Sequence, residues 1–126
     1  MTLQLGYKGE RIDILLVQGA DFGPHIATMF NPDESLVNLT GCTIRGGIAK
    51  STQSPVLLQI DVQITDPQNG EYQFGLGHLA TASLAAGRTE DAPESQYIWQ
   101  LELIDNAGQI FPLYFGIVKV FRGLIL

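Results

Sequence analysis

Residues 56–77 read VLLQIDVQITDPQNGEYQFGLG. Apolar side chains fall on alternate positions, Val56, Leu58, Ile60, Val62 and Ile64, with Gln59, Asp61, Gln63 and Thr65 between them. A period of two sends successive side chains to opposite faces, so this spacing predicts one long half-buried strand over Val56–Thr65. Asp66–Gly70 (DPQNG) then carries turn chemistry. Pro67 presets φ, and Asn69-Gly70 supplies the positive φ values a tight hairpin needs. Alternation resumes at Tyr72, Phe74 and Leu76, which makes Glu71–Leu76 the returning strand. This stretch is scaffold, with no reactive pattern in it.

The same period recurs on both sides. Arg11–Val17 places Ile12, Ile14 and Leu16 on one face, and Gly23–Phe30 is a second candidate strand. Asn31–Glu34 (NPDE) is a turn by composition. Thr43–Ala49 is a strand interrupted by Gly46-Gly47, a pair that signals a bulge or the close approach of another backbone. Gln96–Ile104 alternates with Tyr97, Trp99, Leu101 and Leu103 on one face. Asp105–Gly108 (DNAG) is a second hairpin turn, and Ile110–Phe121 returns from it. Only Leu79–Ala86 reads as a short helical turn, and Thr89–Ser95 as an acidic, proline-containing loop. About seven strands with turn signals every ten residues or so predict an all-β, antiparallel sandwich or barrel. There is no internal repeat or interdomain linker, so residues 1–126 read as a single domain.

The chain has 126 residues, of which 45% are hydrophobic, and a formal net charge of −6. A chain of this size buries enough surface to fold without a metal or disulfides. Its seven basic residues are scattered, which argues against a nucleic-acid footprint and against a polybasic membrane anchor. Cys42 is the sole cysteine, so no intramolecular disulfide forms. The N-terminal MTLQLGYKGE has no apolar core of a signal peptide, and no apolar run reaches membrane-spanning length. These features lead to an expectation of a protein made and folded in the cytoplasm.

Candidate chemistry is sparse. Gly75-Leu-Gly77-His-Leu-Ala80 matches a dinucleotide fingerprint and follows a strand, but that strand belongs to an antiparallel hairpin rather than a βαβ unit. His25 and His78 are the only histidines, and with Cys42 they lack ligand-like spacing. No Ser lies in a G-x-S-x-G elbow. Asp66, Asn69 and Glu71 depart from calcium-loop spacing and serve the hairpin turn, as do Asp105 and Asn106 at theirs. The expectation is therefore no catalytic, metal or cofactor site, no small-molecule substrate and no enzyme.

The chain's end differs. FRGLIL (Phe121–Leu126) is apolar where a terminus is normally polar. Either it completes the domain's own sheet, or Phe121, Leu124, Ile125 and Leu126 form a tail that docks on a neighbouring subunit. Residues 1–9 offer a similar short arm. Strand addition to a sheet edge binds through main-chain hydrogen bonds, which set the register. Tyr97, Trp99, Tyr72 and Phe74 read as core, and Tyr7, Phe22, Tyr114 and Phe121 as possible exposed anchors.

Several pieces in order are similar to a family of small bacteriophage virion proteins. They are Leu39-Thr40-Gly41 ahead of a strand with Arg45, then Gly70-Glu71-Tyr72, then Thr81 and Leu84 in a short turn. Tyr97-Ile98-Trp99-Gln100-Leu101-Glu102-Leu103 follows, then Gly108, and finally Gly116-Ile117-Val118-Lys119-Val120. The resemblance spans about Ile12 to Val120. It departs from the family at Gly46-Gly47 and in the apolar tail. It implies a single immunoglobulin-like β-sandwich and a structural role in the virion, as a tail, baseplate or fibre-attachment protein. Its implied partners are other virion proteins in several symmetric copies, with no nucleic acid and no membrane. A capsid-decoration protein and a carbohydrate-binding module on the same scaffold stand as alternatives; the module requires an exposed planar aromatic, whereas the alternation places Trp99 inward.

Overall fold

The computed structural model describes residues 9–86 and 94–123. In chain order the elements are β1 (Glu10–Arg11), β2 (Ile14–Val17), β3 (Phe22–Thr28), β4 (Thr43–Ala49), β5 (Val56–Gln59), β6 (Asp61–Asp66), β7 (Glu71–Leu76), α1 (His78–Ser83), β8 (Glu94–Ile104) and β9 (Ile110–Phe121). The strands form two sheets. The large one runs β1-β9-β8-β4-β5 with β2 also on β9, and the small one runs β3-β7-β6. The chain is thus an all-β sandwich. Its small sheet holds the second and fifth main strands and the second half of the fourth; its large sheet holds the first, third, sixth and seventh and the first half of the fourth. Immunoglobulin-like domains likewise separate strands two, four and five from three, six and seven.

The decisive stretch departs from expectation at Ile60. Val56–Thr65 is not one strand. Val56–Gln59 pairs with β4 in the large sheet, whereas Asp61–Asp66 pairs with β7 in the small one. Ile60, 7% exposed, is the crossing point, and its N–H donates to the Gly46 carbonyl at 2.9 Å. From Leu58 to Ile64 the alternation survives, because Leu58, Ile60, Val62 and Ile64 keep facing one core while the backbone changes sheets, whereas Val56 at the start of the run is exposed. After β6, Pro67–Asn69 form a short 3-10 turn, and only Gly70 takes a positive φ (68°), not Asn69. The backbone at Gly70 lies against the Met29 and Val37 carbonyls, where a side chain would not fit.

The other correction concerns direction. Arg11–Val17 is interrupted after Arg11, and both pieces run parallel to β9, Glu10 opposite Tyr114 and Ile14 opposite Val118. The remaining strand pairs are antiparallel. Joining β1 with β2 and β5 with β6 gives seven strands, the expected count. Gly46 and Gly47 mark close approach rather than a bulge in the β4–β8 ladder. A Cβ on Gly46 would press on the Gln100 carbonyl and Leu101, and one on Gly47 on Val56.

One core fills the space between the sheets. Leu101, Leu103, Val118 and Val120 are fully buried, with Tyr72 and Trp99 at 2% exposure. Aromatic rings join the layers: Phe74 of the small sheet stacks on Trp99 (centroids 6.2 Å) and lies 6.3 Å from Tyr114, both of the large sheet. Trp99 Nε1 donates to the Ile12 carbonyl at 2.7 Å, which fixes the gap between β1 and β2 over the core. No described helix is long and apolar enough to cross a membrane.

Candidate interaction surface

The sequence places four residues at the C-terminal end as interface candidates. Phe121 is the last residue of β9. It lies opposite Val17 on one side and Glu94 on the other, its carbonyl accepts from Gln18 N–H at 2.9 Å, and its side chain is half-buried. Gly123 packs so tightly on the Gln18 carbonyl that a Cβ would overlap it. Through Gly123 the chain is therefore held by its own large sheet. Leu124, Ile125 and Leu126 lie outside the described residues, as do residues 1–8 of the N-terminal arm and 87–93 of the acidic loop.

Of the expected aromatic anchors, Phe22, Tyr114 and Phe121 are not exposed. Phe22 and Tyr114 are half-buried, the latter stacked on Trp99 at 6.1 Å with its hydroxyl 3.3 Å from that of Tyr72; Tyr7 lies outside the described residues. Among the described residues the exposed Phe, Tyr or Trp side chain is Phe30, at 55%. Its signal was parity: Ile26, Thr28 and Phe30 continue one face of β3, and Ile26 is 70% exposed. Ala27 and Met29, on the other parity, turn towards the core.

β3 is also an edge. It pairs with β7 alone among the described strands, through His25–Thr28, and those four residues carry no Asp, Glu, Lys or Arg. Natural edges are usually blunted by charge, proline or a bulge. Here Pro24 and the register shift between Phe22 and His25 blunt only the first half. On the large sheet, Leu15 (61%) and Val17 (41%) of β2 and Val56 (61%) of β5 are exposed at its two edges.

The small sheet is acidic, whereas the large sheet carries both signs, with Glu10, Asp13 and Glu102 on or between its strands. The strands of the small sheet carry Asp61, Asp66 and Glu71, the segments flanking β3 carry Asp21, Asp33 and Glu34, and no Lys or Arg is among them. All five described cations, Arg11, Arg45, Lys50, Lys119 and Arg122, lie on the large sheet or just past its strand ends. Arg45 pairs with Glu102, and Arg11 with Asp13 at 3.3 Å.

The residues screened for chemistry have structural work. Gly77 is the N-cap of α1 and offers no side-chain acceptor, so Asp21 from the β2–β3 turn accepts the His78 N–H at 2.7 Å. The same oxygen is 3.1 Å from His78 Nδ1, and both side chains are solvent-exposed. Gly75 lies so close to the Phe22 carbonyl that a Cβ would overlap it, so the fingerprint-like glycines serve strand packing and a helix of six residues. His25 is exposed beside Phe22 and Phe74. Cys42 is half-buried; burial first, and then the nearby Asp105, push its thiol pKa up, away from a reactive thiolate. No grouping of His, Cys, Asp and Glu able to hold a metal occurs among the described residues.

Thr81 is the buried polar residue of the described core, at 0% exposure. Its hydroxyl accepts from Gly19 N–H at 3.1 Å and lies 2.8 Å from the Ala20 carbonyl, tying α1 to the β2–β3 turn. Gln18 Nε2 donates to the Leu84 carbonyl, and Tyr97 Oη to that of Ala85 at 2.8 Å. The tyrosine hydroxyl bonded back to the preceding corner is a recurrent fastening of immunoglobulin-like sandwiches.

Comparison with models of known protein families finds no match, and comparison with curated proteins finds none either.

Proposed function

We propose that this chain is a structural binding protein of an assembly, and specifically a small tail, baseplate or fibre-attachment component of a bacteriophage virion. The observation that carries this reading is where the exposed apolar side chains stand. Ile26, Phe30, Leu15, Val17 and Val56 lie on sheet edges and at a strand's end, where strand addition and face packing take place. The order of motifs from Leu39-Thr40-Gly41 to Gly116–Val120 supplies the virion context. A capsid-decoration protein would use the same edges. The carbohydrate-binding alternative loses its platform, because Trp99 is 2% exposed and its Nε1 is bonded to Ile12.

The test is mass spectrometry of purified particles from a lysate in which the gene is expressed with its neighbours. The chain is expected in the particles at several copies, in the tail fraction after heads and tails are separated. Recovery only as free protein overturns the reading, and recovery with heads selects the decoration role.

A further inference from the structure

We infer that residues 1–8 of this chain supply a fourth strand to its own small sheet, running antiparallel along the free edge of β3. The inference goes beyond the assembly role proposed above and does not depend on it. Its ground is the way the two sheets meet. On one side of the sandwich the chain itself closes the seam, passing from β5 in the large sheet to β6 in the small one at Ile60. The other side brings together β2 and β3, joined by Gln18–Asp21, and there β3 pairs with β7 alone among the described strands. That edge presents donors. Met29 N–H donates to the Gly70 carbonyl at 2.9 Å, on the β7 side. Backbone groups alternate sides along a strand, so the N–H groups of Ile26 and Thr28 point off the free edge.

Position, length and pattern make residues 1–8 the occupant. Glu10 pairs with Tyr114, whose ring lies 6.3 Å from Phe74, and Phe74 pairs with His25. Glu10 therefore stands level with the start of the His25–Thr28 ladder. Because β2 and β3 run in opposite directions about their turn, the chain ahead of Glu10 advances against β3, which makes the pairing antiparallel. Gly9, at φ 92°, is the pivot: its positive φ ends the ladder on β9 and turns the backbone, and a Cβ there would crowd the Leu113 carbonyl. Stacked sheets lie about 10 Å apart, a gap that about three extended residues cross, which leaves Met1–Leu5 for the edge. In MTLQLGYK, Leu3, Leu5 and Tyr7 share one parity and Thr2, Gln4 and Lys8 the other, the pattern of a strand with one face on a core. Ile26 and Thr28 keep their side chains outward, so Thr2 and Gln4, outward too, are the residues whose N–H groups face β3.

Hydrogen exchange of the full chain against a variant lacking residues 2–8 tests this. In the full chain the Ile26 and Thr28 amides are expected to exchange slowly at every protein concentration. The deletion is expected to speed both by at least about tenfold, while Leu101 and Val118 stay slow. Should the deletion lose its cooperative melt, Thr2→Pro with Gln4→Pro replaces it, since proline cannot donate to a ladder, and the same two amides are expected to speed up. Rapid exchange of Ile26 and Thr28 in the full chain overturns the inference, as does slow exchange that neither variant changes. Protection that appears only as concentration rises gives the edge to the arm of a second copy. Protection lost at Phe111 and Leu113 instead puts the arm on β9. Either result also overturns the inference. None of these outcomes bears on recovery of the chain in particles, which tests the assembly role separately.

Discussion

Thr81 shows how a single buried hydroxyl sets a corner. Its oxygen serves both Gly19 N–H and the Ala20 carbonyl inside a site with no solvent access. Thr81→Val keeps the shape and strands both backbone groups, a loss of about 1–3 kcal/mol in unfolding free energy. Urea unfolding is expected to show a lower midpoint with an unchanged slope. Gly116 is the second such residue. The chain between β1 and β2 crosses it so closely that a Cβ would overlap the Ile12 carbonyl oxygen. Gly116→Ala is expected to cost about 1–3 kcal/mol, as overpacking does. Hydrogen exchange locates the damage: the amides of Ile14–Val17 speed up first, while those of β4 and β8 stay slow. The sequence motif contained both residues, but not their reasons, because both depend on segments more than sixty residues away.

At the scale of elements, legibility followed the period of two. The hairpin β6–β7 and the strands β4, β7 and β9 stand where alternation and turn residues place them, and β8 begins two residues earlier, at Glu94. What alternation does not carry is partner choice. Ile60 looks like any other inward residue of VLLQIDVQIT, yet there the backbone leaves β4 for β7, and only the tertiary approach of Gly46 marks the place. The gap between β1 and β2 is likewise silent in RIDILLV. There Asp13 replaces a missing ladder partner, its Oδ1 accepting the Ile117 N–H at 3.0 Å. That hydrogen bond, and secondarily Arg11, hold the Asp13 carboxyl below the ordinary aspartate value of 3.8. A depressed folded pKa adds stability above the ordinary value, and that contribution fades as pH falls through the lower folded one. Asp13→Asn keeps an acceptor and removes the charge. It is expected to be less stable than the wild type at neutral pH, with the difference closing as pH falls past the ordinary aspartate value and through the lower folded one. An equal difference at neutral and at low pH refutes the assignment. The exposed edge of β3 was half legible. Its strand was readable, but Phe30 was read as the strand's last residue rather than as an outward side chain.

Over the whole molecule, the sandwich divides labour between its inside and its rims. The core is continuous and aromatic-rich, the buried Thr81 hydroxyl is consumed by a corner, and the histidines and the cysteine are tied to turns and packing. Most of the exposed large apolar side chains of the described residues instead lie on β2, on β5 and along β3 to Phe30, with Leu79 of α1 and Ile110 at the start of β9 standing apart. A formal charge of −6 makes free copies repel one another in solution. The most direct test of binding through these rims is hydroxyl-radical footprinting of the chain, free and in the assembled particle, read at Ile26, Phe30, Leu15 and Val17. The expected result is strong labelling of all four in the free chain and protection of at least the Ile26–Phe30 or the Leu15–Val17 pair after assembly. Equal labelling in both states, with the chain present in the particle, would contradict the claim that these exposed apolar residues are where it binds.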